Sequence, residues 1–455
     1  MNFVAVTVFA FFLLLITFLL LERTQKDILL SVDNMIILGA GFIWGILFPL
    51  TYFYSMGNPN NQDLKIVSEY DAWEMFRYYV CIAVFLFLFV KTFRLFLNKN
   101  RDRSIFRDAD KTDDPLAGEN ANRLFIATLL LFAVGVVSDW LYCRAYGGYF
   151  GYLEYSAFIR SGVTSLVNNP WSFLIVFRDC VIISSYLFFA QFRKNGSIQI
   201  GRMILFVISF VYSLLILYAN RGRLTFIIFV AVFVFSYWLN KKNLKLIKLK
   251  SVFFIIMAFL IFVLSLNWTS AFLGRTSELK AMDLLCNEIA FAFSNFKILL
   301  TEMNLDNARL FLDIVNYPLF LLPSSWWRKI MPNTASDFVT ILVFGHKKGE
   351  GGVLGETPID SISIGYLQFG IVGVCVFAVF FALLAAKLYK QITEIPVNKA
   401  AGVLAVNVIL DIFIRSLLYA DSYNIVQRFF SLLVFALIYW GVGLFLKKRR
   451  ATTVT

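Results

Sequence analysis

Long unbroken runs of apolar residues, rather than alternation, dominate this chain. Runs fall near residues 2–21, 33–55, 74–97, 124–142, 171–191, 203–219, 224–240, 252–268, 362–386, 400–418 and 426–446, eleven in all. Each is close to the roughly 20 residues that a helix needs to cross the hydrocarbon core of a bilayer. They are too long and too uniformly apolar for the short alternating strands of a barrel. The pattern predicts an all-α, polytopic integral membrane protein of about 11 transmembrane helices. Three parts follow from the spacing: an N-terminal bundle over 1–268 with about eight helices, one large outer loop over 269–361, and C-terminal helices with a basic tail over 362–455.

Composition agrees, with 59% hydrophobic and 16% charged residues. That is too apolar for a water-soluble globule. The net charge of +13 does not call for nucleic acid, because the basic residues sit in short runs at the ends of the apolar blocks. The cytoplasmic ends of the odd-numbered spans and the segments after them, counted from Lys91 in the third, hold 25 of the 42 Lys and Arg, which places them in the cytoplasm by the positive-inside rule. The N-terminus and the 269–361 loop then lie outside. The first block has no basic stretch before it and is read as a span, not a cleaved signal. The polar stretch 98–122 reads as a solvated cytoplasmic loop, and Lys241 to Lys250 as a stop signal. The five cysteines show no metal-ligand spacing and read as small core residues.

The outer loop is not uniformly polar. Residues 281–300 are amphipathic, and 310–323 are apolar but interrupted by Asn316, Pro318 and Pro323. Both are expected to be helices at the outer interface, with Trp326 and Trp327 anchored at headgroup level. The loop also carries Arg275, Arg309, Arg328, Asp337 and the sole histidine, His346, in the glycine-rich run 345–352. Gly355-Glu356-Thr357-Pro358 then leads through Asp360 into the next span.

Candidate chemistry gathers in three places. Asn220-Arg221-Gly222-Arg223 joins two apolar runs, and two guanidiniums there can grip a phosphate or diphosphate bidentately while Gly222 lets the backbone approach; the plain alternative is a pair of anchoring arginines. Arg178-Asp179 lies within an apolar run, where charge is costly, so both residues are expected to face the bundle interior and find partners. Asp411 and Arg415 have helical i, i+4 spacing and are expected to pair. Arg428 follows the last outer turn and points to the same membrane face as Arg221. In the loop, His346 can act as a general base near neutral pH, with Glu356 and Asp360 as alternatives and Asp337 as a weaker one. No P-loop, dinucleotide-binding glycine pattern, nucleophile elbow or zinc-protease motif is present, and neither a cofactor nor a metal site is expected.

The Arg221-Gly222-Arg223 turn entering a span, the late outer loop and the exit sequence Gly365-Tyr366-Leu367-Gln368-Phe369-Gly370-Ile371-Val372-Gly373 resemble the Wzy-like O-antigen polymerases, which join oligosaccharide repeat units. The resemblance implies a GT-C-like glycosyltransferase in the bacterial inner membrane, its active site facing the periplasm. It would act on undecaprenyl-diphosphate-linked oligosaccharide amid membrane lipid, with a polysaccharide chain-length regulator as a further partner and no nucleic acid. Arg221 and Arg223 match the family's arginine-glycine turn; Arg160, Arg275 and Arg328 are further outer arginines that would help to hold the diphosphate. The arginine-spaced motif is not repeated in a second outer loop, as it is in some members. O-antigen ligase uses the same donor, and a lipid-linked oligosaccharide flippase would instead require charges near the membrane midplane and an internal repeat.

Overall fold

The computed structural model describes residues 2–22, 32–97, 119–161, 167–194, 197–220, 223–239, 281–304, 307–322, 324–331, 333–353, 355–394 and 417–453, with parts of 402–411. The expected span 252–268, the basic run 241–250, most of the 98–122 loop, and Arg221, Arg275 and Arg415 lie outside the described residues. In chain order the helices are α1 (Asn2–Glu22), α2 (Val32–Phe42), a π-helical turn (Ile43–Leu47), α3 (Phe48–Gly57), α4 (Gln62–Ser68), α5 (Ala72–Phe96), α6 (Glu119–Arg144) and α7 (Tyr149–Ser161). A 3-10 turn (Ser172–Phe177) leads to α8 (Cys180–Gln191), α9 (Ile200–Asn220), α10 (Arg223–Leu239), α11 (Ala281–Glu302), α12 (Leu312–Val315), α13 (Ser324–Trp327), α14 (Ala335–Phe344), α15 (Ser361–Glu394) and α16 (Ser422–Thr453). Between α8 and α9, Arg193–Lys194 pairs antiparallel with Ser197–Ile198. Apart from that pair and the connecting turns and loops, the described residues are helical.

Eight described helices are long and apolar enough to cross a membrane: 2–21, 36–57, 72–96, 121–144, 172–191, 200–220, 361–387 and 422–446. Each coincides with an expected run, and the chain is a multi-pass helical membrane protein. The run expected at 224–240 forms α10, of which 17 residues are described; among the described residues 224–234 are a shorter apolar helix. The helices divide into two compact units, each drawn from separate stretches of the chain. One holds α1–α5, α11–α14, most of α15 and residues 417–425; the other holds α6–α10 and residues 426–453 of α16.

In the first unit α11 forms the core. Cys286, Ala290, Ala292, Phe293, Ser294, Asn295, Phe296 and Leu299 are fully buried, against α3, α4, α5 and α14. The segment 281–300, expected as a helix at the outer interface, is helical and packs against protein on most of its surface. The polar residues that make this segment amphipathic bond to protein: Asn61 Nδ2 donates to Asn287 Oδ1 at 2.8 Å, Ser294 Oγ to Asp63 Oδ1 at 2.6 Å, and Asn295 Nδ2 to the Pro358 carbonyl at 2.6 Å. Lys297 pairs with Glu74. Trp327 is likewise buried, its ring 5.0 Å from Phe320 and 5.2 Å from Tyr423, so only its neighbour Trp326, 64% exposed, is free to meet headgroups.

The exit sequence Gly365 to Gly373 proves to be a break in α15. Phe369 (φ −167°, ψ 51°) and Gly370 (φ 58°, ψ −143°) leave the helical region, and Gly370 takes a conformation essentially confined to glycine. The break frees the carbonyls of Leu367 and Gln368, which accept from the amides of Arg309 at 3.2 Å and Leu310 at 3.1 Å. Leu310 and Phe311 adopt positive φ (47° and 66°), a local cost of order 1–3 kcal/mol each. Arg309 steadies the turn with a bidentate pair to Asp313 (2.6 and 2.9 Å) and a bond to the Asn333 carbonyl at 3.0 Å, while Gln368 Nε2 donates to Asp313 at 2.8 Å.

In the second unit, small polar residues face inward and apolar ones outward. On α9, Ser209 and Ser213 are buried while Ile204, Val207, Ile208 and Val211 are exposed. Their hydroxyls bond to backbone carbonyls of the same helix, at 2.9 and 2.7 Å, so the helix can pack closely on buried α8 without orphaned polar atoms. Gly135 lets α6 approach α8, since a Cβ there would stand 2.8 Å from the Val181 nitrogen.

A Cβ at Gly373 would lie 2.1 Å from the Gly365 carbonyl oxygen, whereas one at Gly441 meets nothing within 4 Å. Gly373→Ala is expected to destabilise the protein by about 1–3 kcal/mol and to lower its melting temperature in detergent by several degrees. Gly441→Ala should leave it unchanged or slightly raised. Equal melting of the two variants would contradict the close crossing at the break.

Candidate functional site

The second unit holds two charge clusters, one reaching Asn220 at the end of α9 and the other Thr225 at the start of α10. Gly147 and Gly148 (φ 85° and 101°) reverse the chain after α6, and α7 returns with Tyr152 packed on Tyr142 and Tyr146 at ring distances of 5.4 and 5.5 Å. Arg178, at the joint between the 3-10 turn and α8, points into this aromatic box. Its guanidinium lies 5.0 Å from the Tyr142 ring and 4.7 Å from the Tyr152 ring, within cation–π range. Nε donates to Asp139 Oδ1 at 2.5 Å and Nη1 to the Tyr152 hydroxyl at 3.1 Å. Nη2 is buried without a partner. The other Asp139 oxygen accepts from the Tyr212 hydroxyl on α9 at 2.8 Å, and Tyr152 Oη lies 3.5 Å from Asn220 Oδ1.

Asp179, the next residue, turns the other way. Its carboxylate accepts from Arg428 Nη1 at 3.1 Å, and Arg428 Nη2 donates to Thr225 Oγ1 at 3.1 Å. Arg178 and Asp139 are 1% and 3% exposed, whereas Arg428 and Asp179 are 32% and 21% exposed. The first pair is a buried ion pair, whose disruption by removing one partner costs about 3–5 kcal/mol. The second retains an accessible cation. Arg178 and Asp179 thus face partners, as expected of charges in an apolar run, but not each other.

Of the arginines expected at a diphosphate, Arg223 opens α10 and Arg160 lies exposed in the last turn of α7, both in this unit. Arg221 and Arg275 lie outside the described residues. Arg328 belongs to the first unit, 5.5 Å over the Trp327 ring.

The first unit gathers carboxylates around the extended segment Gly355–Asp360. Three bonds pin it: Thr357 N to Thr340 Oγ1 at 2.8 Å, Asn295 Nδ2 to Pro358 O at 2.6 Å, and Ala420 N to Ile359 O at 2.7 Å. Glu356, half-buried, is thereby held in the field of Asp421, Asp337, Lys348 and Arg328. Desolvation, reinforced by the negative charges of Asp421 and Asp337, pushes its carboxyl up to about 7, against the opposing pull of Lys348 and Arg328. Asp421, fixed by the amides of Ser336 and Tyr423 at 2.8 Å each, is raised by burial and by Asp313.

Asp360 is fully buried as the cap of α15: Oδ1 accepts from the amides of Ile362 (2.8 Å) and Ser363 (3.1 Å), and Oδ2 from the Ser363 hydroxyl. Burial raises it to about 6, with these donors opposing. His346 is exposed beside Gly345 (φ 76°), its ring so close to Gly351 that a Cβ there would lie 2.2 Å from it. Glu356 and Arg328 are therefore brought together, while Asp360 is enclosed as a cap and His346 stays on the turn surface. No group of three His, Cys, Asp or Glu residues suited to a metal occurs among the described residues.

The sequence reading passed over Asp139, Tyr152 and Asp421. Asp139 had a visible signal: a lone carboxylate within an apolar run requires a partner. No family model matches this chain, and no curated protein or solved structure matches it.

The raised carboxyls make folding proton-linked. Glu356 (about 7, against 4.5) and Asp360 (about 6, against 3.8) hold protons more tightly in the fold than in the unfolded chain. Their stabilisation is complete below the unfolded values and is lost as pH rises through the folded ones. The melting temperature in detergent is expected to fall by a few degrees between about pH 5 and 7.5, less so in Glu356→Gln. Identical pH profiles for the two proteins would mean that Glu356 is not desolvated.

Proposed function

We propose that the protein is a polysaccharide polymerase of the bacterial inner membrane, acting on its periplasmic face. It moves a growing saccharide from undecaprenyl diphosphate to a hydroxyl of the next lipid-linked repeat unit. The acceptor oxygen bonds to the anomeric carbon, the bond from that carbon to the diphosphate oxygen breaks with its electron pair leaving on the diphosphate, and the hydroxyl proton passes to a base. Such a donor is already activated. The protein must stabilise charge on the leaving group, place the acceptor and remove one proton.

The observation that carries this reading is Arg428, bonded to Asp179 and to Thr225 at the start of α10, the helix that the sequence joins to α9 through Arg221 and Gly222. Arg221 and Arg223 lie in and beside the two residues joining α9 to α10, and Arg428, one-third exposed, bonds to Thr225 in the first turn of α10. Three guanidiniums assigned to one helix-to-helix connection suit a diphosphate, which takes planar bidentate donors. Glu356 has the chemistry of the base: a carboxyl that titrates at about 7 accepts a proton near neutral pH and releases it again. Arg328 enters through its influence on Glu356, and Arg160 and Arg275 through the family resemblance alone. His346 and Asp360 are the weaker choices of base, one being solvated and the other already accepting three hydrogen bonds.

The test is the polysaccharide ladder from cells lacking the native protein and complemented with wild type, Arg221→Ala or Glu356→Gln at matched expression. Wild type should restore long chains, and each variant should leave single repeat units on the lipid A core. A full ladder from Arg221→Ala removes the diphosphate role, and a complete loss of surface saccharide without the protein points to a ligase or flippase. In membranes supplied with lipid-linked repeat units, the rate should rise with pH through about 7, because the base must be ionised, and Glu356→Gln should lower it by about 100-fold or more.

A further inference from the structure

Glu356 follows a residue that does little to hold it. Gly355 is exposed, and beyond its chain neighbours nothing lies within 4 Å of where a Cβ would stand, so the backbone on that side has room to turn. The nearest fixed point is the next residue, Thr357, whose amide donates to Thr340 Oγ1 at 2.8 Å. A carboxyl that must take one proton from a bound hydroxyl tolerates little misplacement.

We propose that Thr340 is a positioning residue, which holds the Glu356 carboxyl in its half-buried place. Its value for turnover rests on the reading of Glu356 as the base. A threonine hydroxyl has one hydrogen to give and lone pairs with which to accept. Here the hydrogen goes to the Ser336 carbonyl at 2.7 Å and a lone pair takes the Thr357 amide. Both capacities are used, which fixes the direction in which Oγ1 faces. Thr340 is fully buried, so it acts through the segment and does not itself meet substrate.

Behind Thr340 the bonds close on themselves. Ser336 gives its carbonyl to Thr340 and its amide to Asp421 Oδ2, at 2.8 Å. Ala420, beside Asp421, donates its amide to the Ile359 carbonyl at 2.7 Å, and Ile359 stands two residues from Thr357. The circuit thus joins α14, the residues leading into α16 and the extended segment. Helix α14 is a firm base for it: Thr334 and Asp337 exchange bonds of 3.1 Å at its start, and Gly345 (φ 76°) closes its end. A group held by a closed set of bonds from a capped helix keeps its place better than one on a free loop.

The charged groups around Glu356 are Asp421, Asp337, Lys348 and Arg328, and Tyr423 responds to its charge. Desolvation outweighs each of them. That effect lasts only while the carboxyl is kept from water. Released at Thr357, the carboxyl turns toward solvent, and its hold on the proton returns toward the ordinary glutamate range.

Thr340→Val keeps the shape of the side chain and removes both bonds, whereas Thr340→Ser keeps the hydroxyl and removes a methyl. In full-length protein in detergent, the infrared carboxyl band that Glu356→Gln abolishes is followed against pH. The rate is measured over the same range in membranes supplied with lipid-linked repeat units. In Thr340→Val the midpoint of the band is expected to fall by about one pH unit or more. The rate near neutral pH should fall about 10-fold, with KM for the repeat unit unchanged. Thr340→Ser should match wild type in both. Thr340→Cys, whose thiol accepts weakly, should lie between, and it carries the test if Thr340→Val does not fold.

An unmoved midpoint overturns the positioning role. So does a shift in Thr340→Ser as large as that in Thr340→Val, since packing of the methyl would then be its cause, and so does the absence of any carboxyl band lost with Glu356→Gln. A rate left at the wild-type level, while Glu356→Gln abolishes it, has the same meaning. If the midpoint falls as expected but Glu356→Gln keeps the full rate, Thr340 positions the carboxyl and the reading of Glu356 as the base fails.

Discussion

Hydrocarbon offers no partner to a charge or to a backbone amide, so a chain that lives in a bilayer must answer its own polar groups. The pair between Arg178 and Asp139 is the plainest instance here. With each group almost fully enclosed, neither can exist in the fold without the other. Around that pair are arranged a tyrosine box, the middle and end of α9, and the adjacent Asp179 with its own arginine. The same demand shapes the other unit, where carbonyls released by the kink in α15 are met by amides of residues 309 and 310.

The two charge clusters work by opposite electrostatics. Around Asn220 the carboxylates are matched by arginines, leaving cationic surface at Arg428. Around Glu356 carboxylates crowd one another, and the nearby cations do not cancel the effect of desolvation. The two clusters belong to separately packed groups of helices, and each is described by its own surroundings.

The helices were legible because length and apolarity alone decide whether a segment can span a bilayer; all eight long helices fall where runs of apolar residues predict them. Burial was less legible. The segment 281–302 carries the same amphipathic pattern whether its polar face meets headgroups or the side chains of Asn61, Asp63 and Glu74, and sequence periodicity cannot tell these apart. Trp326 and Trp327 are adjacent and chemically identical, yet one is exposed and the other enclosed, by nearby Phe320 and by Tyr423 from far along the chain. For the candidate sites, the arginines could be found from residue type and place, but Tyr152 and Asp421 became visible only through three-dimensional neighbours. Asp360 shows the converse: a carboxylate placed suggestively in the sequence, whose hydrogen bonds are already given to the start of a helix.

The kink at Gly370 has a mechanical side. Its freed carbonyls are closed by the backbone of Arg309 and Leu310, and Arg309 in turn grips Asp313 and the Asn333 carbonyl, so Arg309 ties two points of the chain, near 310 and at 333, to α15. Loosening the turn at Arg309 would leave the Leu367 and Gln368 carbonyls without these donors. Between the two tied points lies Arg328, the cation that tempers Glu356.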